Sequence, residues 1–281
     1  MANGPNGSPN SHAIDRPISR WKGKWALVTG ASAGIGWALA EQLAAGGANL
    51  VLTARRVDRL EKLAAELTAR RGIKAEIFAA DLARPEAPAA IYAFTESKGL
   101  EIELLVNNAG FGAFGYTNEI DESRLLGMVQ VNCAVVVQLT RMYLPRMVER
   151  RSGDILIVAS TAAFQPVPFI AAYAATKAFD LIFAEGLAEE MRGFGVRVCA
   201  LCPGSTSTEF QQVAHQPDRA FRYAETAGKV ARVGLEGLAQ GKSSVISGSR
   251  NRWMVFGERF APRSFIAKMA AKVMGPESAK Q

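Results

Sequence analysis

The most constraining part of this 281-residue chain is its first strand–loop–helix–strand unit, residues 24–53. Residues 24–29, K-W-A-L-V-T, form a short apolar run that fits a buried strand of a parallel sheet. The run ends in Gly30-Ala31-Ser32-Ala33-Gly34-Ile35-Gly36. Leu39 and Leu43 then mark one face of a helix that closes at Gly46-Gly47, and residues 49–53, N-L-V-L-T, start a second strand. Glycines at such a junction let the backbone turn tightly and approach a phosphate, while the helix N-terminus offers N–H groups and a partial positive charge. In that setting the glycine pattern points to a dinucleotide-binding unit.

Alternation of strands and helices continues along the chain. Strands are expected over 75–79, ending at Asp81-Leu82, and over 103–106, ending in Asn107-Asn108-Ala109-Gly110. A helix over 121–145 contains Asn132, and a strand over 154–158 delivers Ser160 at its carboxyl end. A helix over 172–192 carries Tyr173 and Lys177 and is ended by Gly193 and Gly195. Strands over 196–201, followed by Pro203-Gly204, and over 244–247 complete the set. Seven strands alternating with helices predict an α/β fold, one doubly wound parallel sheet with helices on both faces. Ligands of such sheets bind outside the carboxyl ends of the strands, where all these polar motifs fall.

After the second strand, many NAD-binding units place an acid for the adenosine ribose hydroxyls. Here the chain reads Thr53-Ala54-Arg55-Arg56. A guanidinium in place of the acid favours a 2′-phosphate, so NADP(H) is the expected cofactor and Arg55 its leading contact. The alternative is that Arg55 and Arg56 merely open a solvated helix. Asp81 is placed to accept from the adenine amino group.

The stretch 160–177, S-T-A-A-F-Q-P-V-P-F-I-A-A-Y-A-A-T-K, offers a hydroxyl, a phenol and an ammonium. On a helix, Tyr173 and Lys177 lie one turn apart on the same face. A neighbouring cation favours phenolate and is expected to lower the Tyr173 pKa from about 10, which suits general acid–base chemistry.

Composition limits the alternatives. Half the residues are hydrophobic and a fifth charged, as in ordinary globular domains. No apolar run is read as approaching the roughly 18 residues of a membrane span, and residues 1–20 lack the apolar stretch of a signal peptide. Residues 1–21 are expected to be a disordered lead-in, rich in Gly, Pro, Asn and Ser. A cytoplasmic location is the expected default. The net charge of +7 sits at the ends: residues 1–24 carry four basic and one acidic side chain, and residues 242–281 carry eight and two. A near-neutral body argues against nucleic-acid binding. Cys133, Cys199 and Cys202 cannot build a disulfide framework, and Cys199-x2-Cys202 lies in a strand reading V-R-V-C-A-L-C-P-G, so both are expected to be core thiols.

Together, T-G-A-S-A-G-I-G at 29–36, D-L at 81–82, N-N-A-G at 107–110, Asn132, Ser160, Y-A-A-T-K at 173–177 and P-G at 203–204 resemble the short-chain dehydrogenase/reductase family over nearly all of residues 22–250. The resemblance implies a Rossmann-type sheet and NAD(P)-dependent oxidoreduction with an Asn132/Ser160/Tyr173/Lys177 tetrad. It implies cofactor contacts at Gly30, Ser32, Ala33, Gly34, Ile35 and Gly36, at Asp81 and Leu82, and at Asn108, Ala109 and Gly110. Tyr173 and Lys177 would also touch the cofactor, as would Pro203, Gly204, Thr206 and Thr208, the last at the nicotinamide carboxamide. By the same resemblance Ser160 holds the substrate oxygen, Tyr173 donates the proton, Lys177 keeps the phenol acidic and binds the ribose, and Asn132 positions a water leading from Lys177 to solvent. Arg55 resembles the NADP-preferring members, and a homodimer or homotetramer is expected. The rival reading is a non-enzymatic dinucleotide sensor on the same fold.

Phe111, Phe114, Phe164, Phe169 and Phe210 fall beside this site and point to an apolar pocket for a ketone, aldehyde or alcohol, or to core packing. Residues 205–223 are expected to form a mobile lid. Residues 251–281 are read as a basic amphipathic extension in which Pro262 opens a helix at Arg263, with Phe265, Ile266, Met269 and Val273 on one face and Lys268 and Lys272 beside it. Packing on a subunit or the core is expected ahead of contact with an anionic membrane, and covering the pocket mouth is a further option.

Overall fold

The computed structural model describes residues 18–210, 214 and 223–275. Its centre is a seven-stranded, all-parallel sheet built from β1 (Trp25–Thr29), β2 (Asn49–Ala54), β3 (Ala75–Ala79), β4 (Ile102–Asn107), β5 (Gly153–Val158), β6 (Val196–Cys202) and β9 (Ser244–Ile246). The order is β3-β2-β1-β4-β5-β6-β9, so the chain reverses direction across the sheet between β1 and β4. A small parallel bridge joins β7 (Thr206–Ser207) to β8 (Glu225–Thr226). In register, Val28 pairs with both Leu52 and Val106, which brings the carboxyl ends of β1, β2 and β4 level around one crevice.

Strand residues alternate between two buried faces. One is covered by α1 (Gly34–Ala45), α2 (Val57–Arg71) and α7 (Ala227–Ala239) and packs Val28, Leu50, Leu52, Leu104 and Leu156. The other is covered by α3 (Ala87–Ser97), α5 (Val135–Glu149) and α6 (Ala171–Met191) and packs Leu27, Leu105, Ile155, Ile157 and Val198. Cys199 belongs to the first face and Cys202 to the second, so these thiols point away from each other and form no redox or metal pair.

Three expectations need adjusting. Residues 18–21, placed in the lead-in, fold as a 3-10 turn, Ile18–Trp21. Trp21 is buried and its indole N–H donates to the Asp154 carboxylate over 2.7 Å. Residues 1–17 of that lead-in lie outside the described residues. The helix expected over 121–145 runs further, as α4 (Glu122–Val129), a π-turn at Gln130–Ala134 and α5. By length and composition this 28-residue run could cross a membrane, contrary to the reading that no stretch qualifies; here one face of it packs across the sheet and α3, and 39% of its apolar window is buried. Lastly, the line drawn between residues 250 and 251 falls inside α8 (Ser249–Glu258), which precedes the expected helix α9 (Arg263–Met274). Val255 of α8 and Met274 of α9 are buried in the body of the domain. The lid expected over 205–223 is described only at residues 205–210, 214 and 223.

Candidate active site

The glycine loop and the N-N-A-G turn are tied into one wall by Thr29. Its hydroxyl donates to the Val106 carbonyl and accepts from the N–H groups of Asn108 and Ala109, both at 2.9 Å. The Asn108 amide nitrogen donates back to the Thr29 carbonyl over 2.7 Å. This clasp leaves no room at Gly36, where a Cβ would stand 2.4 Å from both Asn108 Nδ2 and the Gly30 carbonyl oxygen. Gly30 takes the left-handed conformation, φ +67°, that the sharp exit from β1 requires. Ala33 precedes α1 without any side-chain cap, so no side chain of the cap residue covers the helix N-terminus.

These walls bound a cleft of about 950 Å³ at the carboxyl ends of the strands. Of the expected cofactor contacts, Gly30, Ser32, Ala33, Gly34, Ile35, Arg55, Asp81, Leu82, Asn108, Ala109, Gly110, Pro203, Gly204, Thr206 and Thr208 all line it. So do Ser160, Tyr173 and Lys177. Gly36 and Asn132 do not; they act one layer behind. Asp81 turns one carboxylate oxygen to its own loop, accepting from the Ala83 N–H at 3.1 Å.

At the far end of the cleft, Tyr173 and Lys177 share one face of α6 and are both buried. The Lys177 ammonium lies 6.0 Å from the Tyr173 ring centre. It donates to the Val158 carbonyl at 2.7 Å and to the Asp180 carboxylate at 2.9 Å. Burial raises the Tyr173 pKa above its ordinary value; the Lys177 charge and the Ser160 hydroxyl pull it back without reversing the shift. The net direction is therefore opposite to the lowering expected from sequence, because desolvation of a buried phenolate outweighs the neighbouring cation. Burial alone would lower the Lys177 pKa, but Asp180 and Tyr173 carry it upwards, so the ammonium is retained.

Asp180 went unnoticed in the sequence. Its signal is the i,i+3 spacing from Lys177, and it is almost wholly buried. Its second oxygen, Oδ1, has no hydrogen-bond partner among the described residues.

Ser160 sits at the end of β5, accepts from the Ala162 N–H at 3.1 Å and turns its hydroxyl toward the Pro203 carbonyl at 3.5 Å. Asn132, in the π-turn, commits both side-chain atoms elsewhere. Its amide nitrogen donates to the Phe111 carbonyl and the Thr176 hydroxyl, each at 3.0 Å, and its oxygen accepts from the Phe111 N–H at 3.1 Å. Its side chain clamps the N-N-A-G turn to α6 rather than touching Lys177.

Arg55 lines the cleft beside the glycine loop. Arg56 was read only as its neighbour, yet its guanidinium donates to the Ser32 hydroxyl at 3.1 and 3.2 Å and to Glu209 at 2.7 Å. Arg59 donates to the other oxygen of Glu209 at 2.5 Å. These two cations hold the Glu209 carboxyl below its usual range.

Of the five phenylalanines, Phe111 and Phe210 line the cleft, and Phe210 lies 5.4 Å from the Tyr173 ring. Phe114 and Phe169 pack 6.1 Å apart behind it, and Phe164 joins the sheet core. Val131, Val167 and Ile170 add apolar lining from the body of the domain, and more comes from the tail. Met254 and Ala261 around α8, with Phe265, Ile266, Met269 and Val273 of α9, roof the cleft. Of the options for the tail, two are seen within this chain: core packing, through Val255 and Met274, and covering the pocket mouth.

A family model described as short chain dehydrogenase matches residues 24–219. Very-long-chain 3-oxoacyl-CoA reductase-B of Danio rerio is 36% identical over 199 residues, 68% of this chain and 62% of that protein, so the match spans less than two thirds of the relative. A short-chain dehydrogenase of Sphingobium yanoikuyae, solved with NADPH, superposes with a TM-score of 0.77 at 30% identity, over 84% of this chain and 93% of the other. A structure titled for 7beta-hydroxysteroid dehydrogenase stereoselectivity gives 0.82 at 27% identity, over 90% and 99%.

Proposed function

The chain belongs to the short-chain dehydrogenase/reductase family and is an oxidoreductase of carbonyl or alcohol groups, and on that premise we propose that it uses NADP(H) and a bulky, apolar substrate. The observation that carries the reading is the buried Tyr173–Lys177 pair, which stands at the end of a cleft whose other end is edged by Arg55 and Arg56.

The residues present fit a dinucleotide. The Thr29–Asn108 clasp fills the space at Gly36 and packs the N-N-A-G turn tightly against the glycine loop, and the uncapped start of α1 suits a pyrophosphate. Arg55, with Arg56 beside it, suits a 2′-phosphate. When bound, the cofactor supplies or takes up the hydride. The chain's own groups do the rest. Ser160 holds the substrate oxygen by hydrogen bonding, where negative charge grows during reduction. The Tyr173 phenol, kept protonated at neutral pH by its burial, gives its proton to that oxygen and recovers it in the reverse direction. Lys177 stabilises the resulting phenolate, and Asp180 holds Lys177 in place. Phe111, Phe210 and the α8–α9 roof exclude water and accept apolar bulk. The acyl and steroid groups in the names of the similar proteins are large apolar bodies of that kind.

NADPH oxidation with a panel of apolar ketones and aldehydes tests the reading. Tyr173→Phe is expected to lower kcat/KM at least about 100-fold with NADPH binding retained. Unchanged turnover would refute the assignment. No turnover by the unaltered protein, with binding of NADPH intact, would favour the sensor alternative. Arg55→Ala is expected to weaken NADPH far more than NADH, and equal losses would refute the 2′-phosphate contact. Homo-oligomer formation and a cytoplasmic site of action remain part of the proposal.

A further inference from the structure

We infer that the outer face of α8 and α9 is a docking surface for an anionic lipid bilayer, against which the cleft opens. This goes beyond the oxidoreductase reading and does not depend on it. Trp253 and Phe256, at i and i+3 on α8, and Phe260 in the turn just past its end form a single stripe through their ring contacts. Trp253 is 72% and Phe260 77% exposed, and the three rings meet edge to face at 6.0 and 5.3 Å. Large aromatic side chains set together in water are a costly surface for a protein that keeps them exposed. On α9, Phe265, Met269 and Val273 continue the apolar surface at i, i+4 and i+8, each about half exposed, along the rim of the cleft.

Cations flank both stripes. Arg252 and Arg259 lie beside the aromatic stripe, seven residues apart, and Lys268 and Lys272 lie beside the apolar edge of α9. Arg263 opens α9 between them. The one acid of the two helices, Glu258, is turned to the cleft and has its carboxyl raised by burial. Aromatic rings at headgroup depth with long basic side chains reaching back to phosphate are the arrangement of helices that lie in a membrane interface. A second copy of this chain is a poorer occupant, because a two-fold contact would press the same cations against one another.

The test is co-sedimentation of the full chain with vesicles of phosphatidylcholine, with and without phosphatidylserine, at low and high salt. Pelleting with the anionic vesicles, little with phosphatidylcholine alone, and weakening by salt are expected. The triple variant Trp253→Ser, Phe256→Ser, Phe260→Ser is expected to stay in the supernatant. The pair Arg252→Gln, Arg259→Gln is expected to bind about thirty-fold more weakly. All these side chains are exposed, so an unchanged thermal midpoint certifies that the variants fold. Wild-type protein left in the supernatant with anionic vesicles overturns the inference. So does a triple variant that pellets like the wild type, or a dimer, seen by analytical ultracentrifugation, that the triple variant abolishes. No turnover is read, so failure here leaves the oxidoreductase reading standing, and an inactive protein that pellets leaves this one standing.

Discussion

Asp180 is the residue on which the reactive end of the cleft leans. It supplies the counter-charge that lets an ammonium persist at Lys177 while almost wholly buried, and removing one member of a buried ion pair strands the other. Asp180→Asn keeps the shape and deletes the charge. The variant is expected to lose about 3 kcal/mol of stability, read from the denaturant midpoint at pH 7. Its activity should also move with pH. Asp180 raises both Lys177 and Tyr173, so without it both give up their protons sooner. The alkaline limb of kcat for carbonyl reduction is expected at lower pH than in the wild type; an unmoved limb would make Asp180 merely structural. At the other end of the cleft, Glu209 occupies Arg56 and Arg59. If NADP(H) binds as proposed, its 2′-phosphate competes with that carboxylate, so Glu209→Gln is expected to lower the Kd for NADPH several-fold and leave that for NADH unchanged, as measured by fluorescence titration.

At the scale of elements, the motif-bearing loops were legible because each obeys local rules. A strand must end where glycine permits the turn, and the i,i+4 spacing of Tyr173 and Lys177 fixes a shared helix face. Asn132 is singled out in the sequence by the family resemblance, but the contacts of its side chain are not legible there. Its partners, Phe111 and Thr176, are 21 and 44 positions away, and no periodicity reports contacts of that kind. The 3-10 turn Ile18–Trp21 was hidden for the same reason, since its partner Asp154 lies far along the chain, near the start of β5. Asp154 is also gripped by Arg197, whose Nε and Nη2 donate to its two oxygens at 2.6 and 2.7 Å across the β5–β6 pair. Asp154→Ala leaves the indole N–H and a part-buried guanidinium unpaired, and is expected to lower stability by about 3 kcal/mol in thermal or chemical unfolding.

For the whole molecule, fold class and the seven strands of the central sheet followed from alternation of short apolar runs with amphipathic segments, while the small β7–β8 bridge did not. What alternation does not carry is where a tail returns. Pro262 announced α9, yet nothing local placed α9 above Tyr173, where Met274 joins the same buried cluster. That return makes the cleft a joint product of the two ends of the fold. Ile266→Asp puts a carboxylate into the roof without touching the reactive end. It is expected to raise KM for bulky apolar ketones at least about tenfold and to leave small ketones little affected. Equal effects on both would mean that the roof does not contact substrate.

The Trp21–Asp154 contact has a practical corollary. It pins the chain near the amino ends of β1 and β5, whereas the cleft and its roof stand at the carboxyl ends. A bead, electrode or fusion partner coupled ahead of Ile18 therefore grips the molecule from behind. Immobilised in that orientation, the protein presents its open side to the bulk, and diffusion of cofactor and substrate is left unobstructed.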